Sequence, residues 1–454
     1  MELTGKKVLV VGLARTGAAA ARFLAMRGAR VTVSELRTEG DVAQKAGALR
    51  ELGVAIECGG HGEERFLAAD LIVLSPGVPL TLPVLARARE KGIEIISELE
   101  LAWRFLRGPV VAVTGSNGKT TTVSLLGKIF ADAGRPVQVG GNIGTPLVSL
   151  VDTARDDTVN VVEVSSFQLE AITSFRPRVA ALLNLTPDHL DRHAAMSDYV
   201  AAKARLFGYQ QGGDFAIFNA DDRYATELAP EVRAQRFWFS RRRRLDVGSF
   251  LEDGWVVFAH TSNHERILPR GEIRLKGQHN LENVLAAVCA ARLLDVPPEK
   301  IRTATAGFEG VEHRLEFVAE IGRVLYYNDS KATNVDAAVK AVGAFPGNLI
   351  VILGGKDKGA DFRPLQASLR QRARHVLVIG AARDKIAAQL ADDIPLELLE
   401  TLPEAVARAA TLGVPGDTVL LAPACASFDQ FESFEHRGRV FKQEVRRQAV
   451  ERVS

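Results

Sequence analysis

The stretch from Val110 to Thr122, V-V-A-V-T-G-S-N-G-K-T-T-T, constrains the fold of this chain more than any other. A short apolar strand runs into a glycine loop, a lysine and hydroxyl residues, and then into the pattern of an amphipathic helix. The backbone N–H groups of such a loop, with the helix N-terminus behind them, form a cavity for phosphate. Lys119 would reach the outer phosphates and Thr120 a magnesium ion. Val113 replaces the first glycine of the common motif, and the alternative interpretation is a simple glycine turn.

The composition is that of a globular protein with more than one domain. The chain has 454 residues, 47% of them hydrophobic and 25% charged, which predicts two or three α/β domains. A net charge of +2 gives no general attraction to nucleic acid or to a membrane surface. The three cysteines are far apart and odd in number, which favours a reducing compartment without a disulfide or zinc framework. No stretch reaches membrane-spanning length without charge, and we expect a cytoplasmic protein.

The N-terminal residues have a βαβ pattern. A strand from Lys7 to Val11 breaks at a glycine and continues as a small-residue helix from Gly17 to Arg27, and a second strand starts at Arg30 and ends near Glu35. The connecting G-L-A-R-T-G resembles the dinucleotide fingerprint, but Ala14 replaces the middle glycine that lets pyrophosphate approach the backbone. Dinucleotide binding is therefore disfavoured, whereas a uridine diphosphate sugar remains possible.

Another strand of this segment, Asp70 to Ser75, runs into S-P-G-V-P. The residues after it form a loop at the carboxyl end of a sheet, where ligands usually bind. The alternative for Ser75 is a simple turn. We place the first domain boundary after Arg107, at Gly108-Pro109.

The second domain carries further ionisable residues at strand ends. The strand from Thr158 to Val164 places Glu163 near the phosphate loop, where an acidic side chain is well placed for magnesium. The strand from Val179 to Leu185 opens into a loop that contains Asp188, His189, Asp191 and His193, and this density favours a site over a solvated polar loop. Lys203 follows on a helix, where the local pattern alone predicts a surface lysine.

Two stretches further along the second domain have competing interpretations. Alternating aromatic residues from Phe237 to Phe258, around a turn at Gly254, predict an antiparallel ribbon. The run from Arg241 to Arg244 lacks stacking aromatics and a broadly basic domain, so we interpret it as a solvated loop. Asn280 and Asn283 open a helix from Leu281 to Leu294, where the first would cap the helix and the second could present its amide to a base edge.

The third segment alternates strands and helices. Strands at Val324 to Asn328, Leu349 to Leu353, His375 to Ile379 and Thr418 to Leu421 each run into a loop rich in Gly, Ser, Asp or Lys. This alternation predicts a doubly wound sheet with a loop-rich carboxyl edge.

Seven motifs together resemble one family. T-G-S-N-G-K-T, E-V-S-S-F-Q-L, D-H-L-D, G-Q-H-N-x-x-N, H-R, N-D-S-K-A-T-N and S-F-D-Q-F-E-x-F-E-x-R-G are similar, in this order, to motifs of the Mur ligases of peptidoglycan synthesis. The resemblance implies an α/β protein of three domains. These are a Rossmann-like UDP-substrate domain (1–107), a central P-loop ATPase-type mononucleotide-binding sheet that binds ATP (108–310), and a C-terminal doubly wound, Rossmann-like amino-acid domain (311–454).

The resemblance also implies a reaction. ATP converts a carboxylate to an acyl phosphate, and an amine then displaces the phosphate, so the site needs charge neutralisation more than a nucleophile. The last two motifs point to the addition of D-glutamate to UDP-N-acetylmuramoyl-L-alanine, with ATP and two magnesium ions. The implied enzyme is a monomer that binds no nucleic acid and spans no membrane.

Site residues follow from the same resemblance. The catalytic residues are Lys119, His189 and Lys203. The expected ATP ligands are Gly115, Ser116, Asn117, Gly118, Lys119, Thr120, Thr121, Asn280, Asn283, Arg314 and Asp329. The expected metal ligands are Thr120, Glu163, His189 and Lys203 as a carbamate, which reverses the reading of Lys203 as a surface residue. The UDP substrate would meet Thr16, Arg37, Ser75, Asn142 and His189, although Leu36 between Glu35 and Arg37 departs from the family pattern. D-Glutamate would meet Thr333, Lys358, Ser427 and Phe434.

Three rival functions remain at this point. A sister ligase would add another amino acid, such as L-alanine, or glutamate to a folate, and Lys358 and Ser427 argue against it. An oxidoreductase would bind nicotinamide on the first domain, which Ala14 disfavours. A non-catalytic P-loop module leaves the D-S-K-A-T-N loop unexplained.

Overall fold

The computed structural model of this chain describes residues 1–187, 192–193, 195–261, 263–390 and 394–451. The contacts divide the chain into two compact units. Unit 1 contains residues 1–272 and 282–306, and unit 2 contains residues 273–281 and 307–454. Unit 1 holds two β-sheets and unit 2 holds one.

The first sheet of unit 1 is parallel, with strand order β3-β2-β1-β4-β5. Its strands are β1 (Lys7–Val11), β2 (Arg30–Glu35), β3 (Ala55–Cys58), β4 (Leu71–Leu74) and β5 (Glu94–Ser97). The accompanying helices are α1 (Arg15–Met26), α2 (Glu39–Arg50), α3 (Glu63–Leu67), α4 (Pro83–Glu90) and α5 (Glu98–Trp103). The order reverses between β1 and β4, so the loops that follow these strands lie together at the place where doubly wound sheets bind ligands.

The second sheet of unit 1 has nine strands in the order β14-β13-β12-β11-β10-β9-β6-β8-β7. They are β6 (Val110–Thr114), β7 (Val137–Gly141), β8 (Val159–Glu163), β9 (Val179–Leu182), β10 (Phe215–Asn219), β11 (Gln235–Ser240), β12 (Gly248–Glu252), β13 (Trp255–His260) and β14 (Asn263–Pro269). The helices are α6 (Lys119–Asp132), α7 (Ser166–Leu169), α8 (Met196–Ala204), α9 (Arg223–Leu228), α10 (Gln278–Arg292), whose residues 278–281 belong to unit 2, and α11 (Pro298–Ala306). Every residue of β6 is buried, as expected for a central parallel strand.

The predicted antiparallel ribbon is only partly correct. β12 and β13 pair antiparallel around the turn at Asp253-Gly254, and β14 extends the ribbon. β11, which carries Phe237, instead pairs parallel with both β10 and β12. Its inward-facing aromatic rings belong to the core of the parallel sheet, and alternation along one strand cannot reveal the direction of its neighbour. Arg241 to Arg244 form the loop between β11 and β12, where three of the four arginines are paired with acidic residues of unit 1.

Unit 2 contains a six-stranded sheet with strand order β15-β16-β20-β17-β18-β19. The strands are β15 (Glu316–Ile321), β16 (Val324–Asn328), β17 (Leu349–Gly354), β18 (Ala373–Ile379), β19 (Leu396–Leu398) and β20 (Thr418–Leu421). The helices are α12 (Val335–Val342), α13 (Gln366–Arg372), α14 (Arg383–Leu390), α15 (Leu402–Leu412) and α16 (Phe434–Glu451).

The four strands predicted for unit 2 form its parallel centre, and the two edge strands were missed. β15 pairs antiparallel with β16 and carries two glutamates among its apolar residues. β19 has three residues and pairs parallel with β18. Short or charged edge strands lack the buried apolar run by which central strands are recognised. The α/β fold class with three parallel-rich sheets is confirmed, whereas the boundaries after residues 107 and 310 stay predictions.

Two buried carboxyl groups on α5 fix the first sheet of unit 1 beside the second. Glu98 accepts a hydrogen bond from the backbone N–H of Val148 at 2.7 Å, and burial raises its pKa to about 7. Glu100 accepts hydrogen bonds from the backbone N–H groups of residues 173 to 175. The segment after β7, which includes Asn142, is thereby held against the first sheet.

Candidate active site

The glycine loop that follows β6 has the conformation predicted for a phosphate loop. Residues 115 to 118 connect β6 to α6, and Gly118 is the N-cap of the helix with φ of +90°. A Cβ atom at Gly118 would lie 2.1 Å from Oδ1 of Asn283, a residue that is 2% exposed. Glycine is therefore required both by the positive φ and by the close approach of the Asn283 side chain.

Two lysines converge on this loop. Nζ of Lys119 donates hydrogen bonds to the carbonyl oxygens of Gly115 at 2.7 Å and Ser116 at 2.9 Å. Nζ of Lys203 donates to the same Gly115 carbonyl at 3.0 Å and to Oγ1 of Thr114 at 3.3 Å. Lys203 is 2% exposed, so the surface position predicted from its local pattern is wrong. Two lysine side chains therefore lie at one carbonyl oxygen of the loop.

Oxygen donors gather at the start of α6. Oγ1 of Thr120 donates to Oε2 of Glu163 at 2.8 Å, and Oε1 of Glu163 accepts from Nδ2 of Asn142 at 3.1 Å. Thr120 and Glu163 are both 3% exposed. A hydroxyl and a carboxylate at the first turn of a phosphate-loop helix are the hard oxygen donors that magnesium prefers. The two predicted metal ligands are thus in direct contact.

The loop is fixed by residues to which the sequence analysis gave no role. The side-chain amide of Asn184 exchanges two hydrogen bonds with the backbone of Asn117, at 2.9 and 3.0 Å. Oγ of Ser116 lies 2.9 Å from the carbonyl oxygen of Thr186 and 3.1 Å from the hydroxyl of Tyr199. These contacts join residues separated by 67 to 83 positions. Asn184 lies two residues after the end of β9, and a polar residue close to the end of a buried strand is the sequence signal that could have indicated it.

The histidine-rich loop after β9 is described only in part. His189, Asp188 and Asp191 lie outside the described residues. His193 is 6% exposed, its Nε2 lies 3.1 Å from Oγ of Ser166, and burial lowers its pKa. Thr121 is also buried, and its hydroxyl has no hydrogen-bond partner in the described part of the chain.

The N-terminal loop of unit 1 is held by a carboxylate. Glu35 accepts hydrogen bonds from the backbone N–H of Leu13 at 2.6 Å and from the backbone and guanidinium N–H groups of Arg37 at 3.0 to 3.1 Å. The hydrogen bonds from Arg37 lower the pKa of Glu35 to about 2. Oγ of Ser75 donates to the Gly12 carbonyl at 3.0 Å, and Thr16 lies in the first turn of α1. Three of the predicted UDP-substrate residues, Thr16, Arg37 and Ser75, therefore surround one strand-to-helix turn.

Unit 2 brings together two of the predicted ATP ligands. A cavity of about 460 Å³ is lined by Asn280 and Arg314, with Phe317 and Tyr327 on its wall. Nε of Arg314 is buried and has no hydrogen-bond partner among the described residues. Oδ1 of Asp329 accepts from the backbone N–H of Leu315, and burial raises its pKa to about 6.

The predicted D-glutamate ligands lie on the loops at the carboxyl edge of the unit 2 sheet. Thr333 follows β16, Lys358 follows β17 and is exposed, and Ser427 follows β20 and is 2% exposed. Phe434 is the first residue of α16, and its ring lies 6.2 Å from the ring of His313. The four residues thus come from three strand-end loops and one helix N-terminus of the same unit.

Comparison with protein families identifies this arrangement. The models of three domains match: Mur ligase MurD-like, N-terminal domain, over residues 6–97; Mur ligase middle domain, over 113–291; and Mur ligase, glutamate ligase domain, over 313–425. The chain belongs to the Mur ligase family. The three matches follow the order of the three sheets.

Curated relatives and solved structures agree with this assignment. The chain is 56% identical over 444 residues to the UDP-N-acetylmuramoylalanine--D-glutamate ligase of Acidobacterium capsulatum, which covers 97% of this chain and 96% of the relative. The enzyme of the same name from Koribacter versatilis is 51% identical over 449 residues, with 99% of each chain covered.

Solved Mur ligase structures share the fold at lower identity. The MurF ligase from Thermotoga maritima in complex with ADP has a TM-score of 0.61 and 17% identity, with 99% of each chain covered. The UDP-N-acetylmuramate-alanine ligase MurC from the same organism has a TM-score of 0.60 and 18% identity, with 97% of this chain and 99% of the other covered. None of the described helices of this Mur ligase is long and apolar enough to cross a bilayer.

Proposed function

We propose that this Mur ligase joins D-glutamate to UDP-N-acetylmuramoyl-L-alanine, with conversion of ATP to ADP and phosphate. The observation that carries the chemistry is the arrangement at one phosphate loop of Lys119, Lys203 and the Thr120–Glu163 pair. The choice of substrates rests on the relatives, which align over nearly the whole chain and carry that enzyme name.

In the first step, an oxygen of the alanine carboxylate bonds to the γ-phosphorus of ATP, and the bond from that phosphorus to the bridging oxygen breaks to release ADP. Negative charge accumulates on the transferring phosphoryl oxygens and on the leaving oxygen. Nζ of Lys119 lies at the loop carbonyl groups, 2.7 Å from that of Gly115, where its charge stabilises this state. The backbone N–H groups at the start of α6 orient the phosphates.

Thr120 and Glu163 would hold magnesium, because they offer a hydroxyl and a carboxylate to one point near the loop. When bound, this ion neutralises phosphate charge. Lys203 is proposed to act as a carbamate. Its amine is buried at the loop, 3.0 Å from the Gly115 carbonyl oxygen, and addition of carbon dioxide to it with loss of a proton gives an anionic oxygen ligand. His189 is proposed to complete the metal site.

In the second step, the neutral amine of D-glutamate attacks the acyl carbon, the bond to the phosphate oxygen breaks, and the amine loses a proton as the amide forms. D-Glutamate carries two carboxylates, for which hydroxyl and cationic donors are suited. Thr333, Lys358 and Ser427 are the proposed donors, and Phe434 is the proposed apolar wall. All four belong to unit 2.

The remaining binding residues are proposed as follows. Thr16, Arg37, Ser75 and Asn142 bind the UDP substrate, and Asn280, Asn283, Arg314 and Asp329 bind ATP. The unpartnered Nε of Arg314 suits a phosphate or ribose oxygen, because a buried donor without an acceptor is costly. The cytoplasmic location and the monomeric state stay predictions.

The test is a ligation assay with purified protein, UDP-N-acetylmuramoyl-L-alanine, ATP and magnesium, in which phosphate release and the product mass are measured. We expect release with D-glutamate and little with L-glutamate, L-alanine or glycine. Preference for another amino acid would assign the chain to a sister ligase. Absence of ATP consumption with every amino acid would contradict a ligase.

A further inference from the structure

Arg437 is a buried cation of unit 2 that the reaction scheme above does not use. It lies in the first turn of α16 and is 1% exposed. Its guanidinium donates to Oγ of Ser330 at 3.0 Å and to the carbonyl oxygens of Ser330 at 2.8 Å, Cys425 at 3.1 Å and Ala426 at 3.3 Å. In the part of the chain that the structure describes, no carboxylate forms an ion pair with it. Burial lowers its pKa to about 10, still well above neutral pH.

A buried charge without a direct ion pair is expensive, because its loss of hydration is only partly offset by the Asp429 carboxylate, which raises the pKa of Arg437 against the effect of burial. Carbonyl and hydroxyl oxygens satisfy the donors of Arg437 but leave its net charge in place. An apolar residue of similar size would avoid this cost but would leave the carbonyl oxygens of Ser330, Cys425 and Ala426 without the guanidinium donor. Arg437 therefore joins the loops that carry these carbonyl groups, at the cost of a buried charge.

The acceptors of Arg437 lie on the loops that carry the proposed D-glutamate donors. The carbonyl of Ala426 belongs to the same planar peptide group as the N–H of Ser427, so the hydrogen bond from Arg437 fixes the direction of that N–H. Ser330 lies three residues before Thr333 on the loop after β16, and its hydroxyl also donates to the carbonyl of Phe434 at 2.8 Å.

The third loop is reached through the backbone. Lys356, two residues before Lys358, exchanges two backbone hydrogen bonds with Ala426, at 2.9 and 3.1 Å. A Cβ atom at Gly355 would lie 2.3 Å from the Ala426 carbonyl oxygen and 3.1 Å from Nη1 of Arg437. The glycine therefore allows this loop to pack directly on the guanidinium.

Gly438 brings the N-terminus of α16 close to the sheet. A Cβ atom at Gly438 would lie 2.2 Å from Nδ1 of His313, and that nitrogen is 2.9 Å from Nδ2 of Asn328, which precedes the Ser330 loop. The adjacent pair Arg437-Gly438 thus fits the helix N-terminus against the ends of β16 and β20.

We propose that Arg437 is a positioning residue for the amino-acid site: its hydrogen bonds hold the loops of Thr333, Lys358 and Ser427 in one arrangement, and its positive charge lies behind the backbone that faces the dicarboxylate. The inference rests on the proposed function. Arg437 does not contact the substrate in this proposal. It acts through the backbone of the loops, and its replacement should affect the binding of the amino acid only.

The test compares Arg437→Met and Arg437→Lys with wild type in steady-state ligation, with each of the three substrates varied in turn. Met removes the charge at similar volume, and Lys keeps the charge but reaches fewer of the four acceptors. We expect the KM for D-glutamate to rise about tenfold or more in Arg437→Met, and less in Arg437→Lys. The KM values for ATP and for the UDP substrate should change less than about twofold, which is the selectivity that general misfolding would not produce.

Arg374→Lys is the matched control. Arg374 belongs to the same sheet but lies at the start of β18, where it pairs with the buried Asp417, and its exposed fraction is 39%. Its replacement should leave the KM for D-glutamate unchanged.

Equal changes in all three KM values, or an unchanged KM for D-glutamate in folded Arg437→Met, would overturn the inference. If Arg437→Met fails to fold, Arg437→Lys decides by the same criterion. If wild type itself releases no phosphate with D-glutamate, the proposed function fails. If wild type is active but the Arg437 variants show no selective rise in the KM for D-glutamate, only the inference about Arg437 fails.

Discussion

Two glycine loops in unit 1 follow the same path from a parallel strand into a helix but are held by groups of opposite charge. After β1, the backbone N–H of Leu13 donates to the carboxylate of Glu35 at 2.6 Å. After β6, the carbonyl of Gly115 accepts from Lys119 at 2.7 Å and from Lys203 at 3.0 Å. The first loop is therefore held by a carboxylate, whereas the second is held by the cation of Lys119 and by the side-chain amine of Lys203.

The difference shows that the shape of such a loop does not determine its ligand. A helix N-terminus and positive-φ glycines are common to both, since Gly12 and Gly118 each have φ of +90°. A carboxylate against the backbone disfavours a phosphate at the loop, so the ligand would bind there through its less charged parts. A lysine at the loop favours a ligand that binds through its phosphates. This agrees with a UDP-substrate role for the first loop and an ATP role for the second.

The largest expected effect comes from removal of a cation at the second loop. Lys119→Ala should lower phosphate release by about 10³-fold, because charge stabilisation of the transferring group is lost. The thermal midpoint should change little, since Lys119 is only partly buried. Lys128→Ala on the same helix, where Lys128 pairs with Asp132 at the surface, is the control and should be nearly as active as wild type. Substantial ligation by Lys119→Ala would remove the lysine from the chemistry.

Lys203→Ala is expected to cost about 10²-fold or more in rate, since one metal ligand is lost. Addition of formate or acetate should restore part of the activity, because a small carboxylate can occupy the place of the carbamate in the cavity left by the side chain. The same additives should not restore Lys119→Ala, where a cation is missing. Near-normal activity of Lys203→Ala without additive would contradict the carbamate.

Much of the second loop was predictable and much of its support was not. β6, the loop and α6 are predictable because the sequence changes from an apolar strand to a glycine loop and then to the pattern of an amphipathic helix. The pairing of Thr120 with Glu163 is predictable because both residues lie close to the carboxyl ends of adjacent parallel strands. Lys203 is different, because the pattern of its helix predicts an exposed side chain. Its burial depends on tertiary contacts such as the hydrogen bond to the carbonyl oxygen of Gly115, 88 positions earlier.

The same limit explains what was missed in unit 2. Arg437 reaches acceptors 11 to 107 positions away, and no periodicity in α16 records those contacts. β15 and β19 are edge strands with charged or few residues, so their sequences lack the buried run that identified β16, β17, β18 and β20. Sequence patterns indicate which face of a helix or strand is buried and where the element ends. Buried polar contacts depend instead on how the elements are arranged in the folded chain.

An intermediate effect is expected from the glycines of the two loops. Gly118→Ala places a Cβ 2.1 Å from Asn283 Oδ1 at positive φ, and should raise the KM for ATP about tenfold. Gly12→Ala meets Ser75 at 3.1 Å, and should raise the KM for the UDP substrate by a smaller factor with the KM for ATP unchanged. If both variants altered the same KM, the two loops would not have separate ligands.

The smallest effect concerns the carboxylate that holds the first loop. The pKa of Glu35 is about 2, below its ordinary value of 4.5, so its ionised form stabilises the folded chain above about pH 4.5. This stabilisation is lost as the pH falls from 4.5 toward 2, because the unfolded chain binds the proton first. Glu35→Gln should therefore lower the free energy of unfolding at pH 7 by about 1–2 kcal/mol, a value reduced for the half-exposed Arg37 partner.

The difference between wild type and Glu35→Gln in urea unfolding should be constant from pH 8 to pH 5 and should shrink between pH 4 and pH 3. Glu57→Gln is the matched control, because Glu57 lies on the edge strand β3 and pairs with the exposed Arg65 of α3, and surface pairs contribute little. A difference for Glu35→Gln that grew on acidification would mean that the carboxylate is held in its protonated form. In that case the first loop would carry no anion of its own, and the contrast in charge between the two loops would be lost.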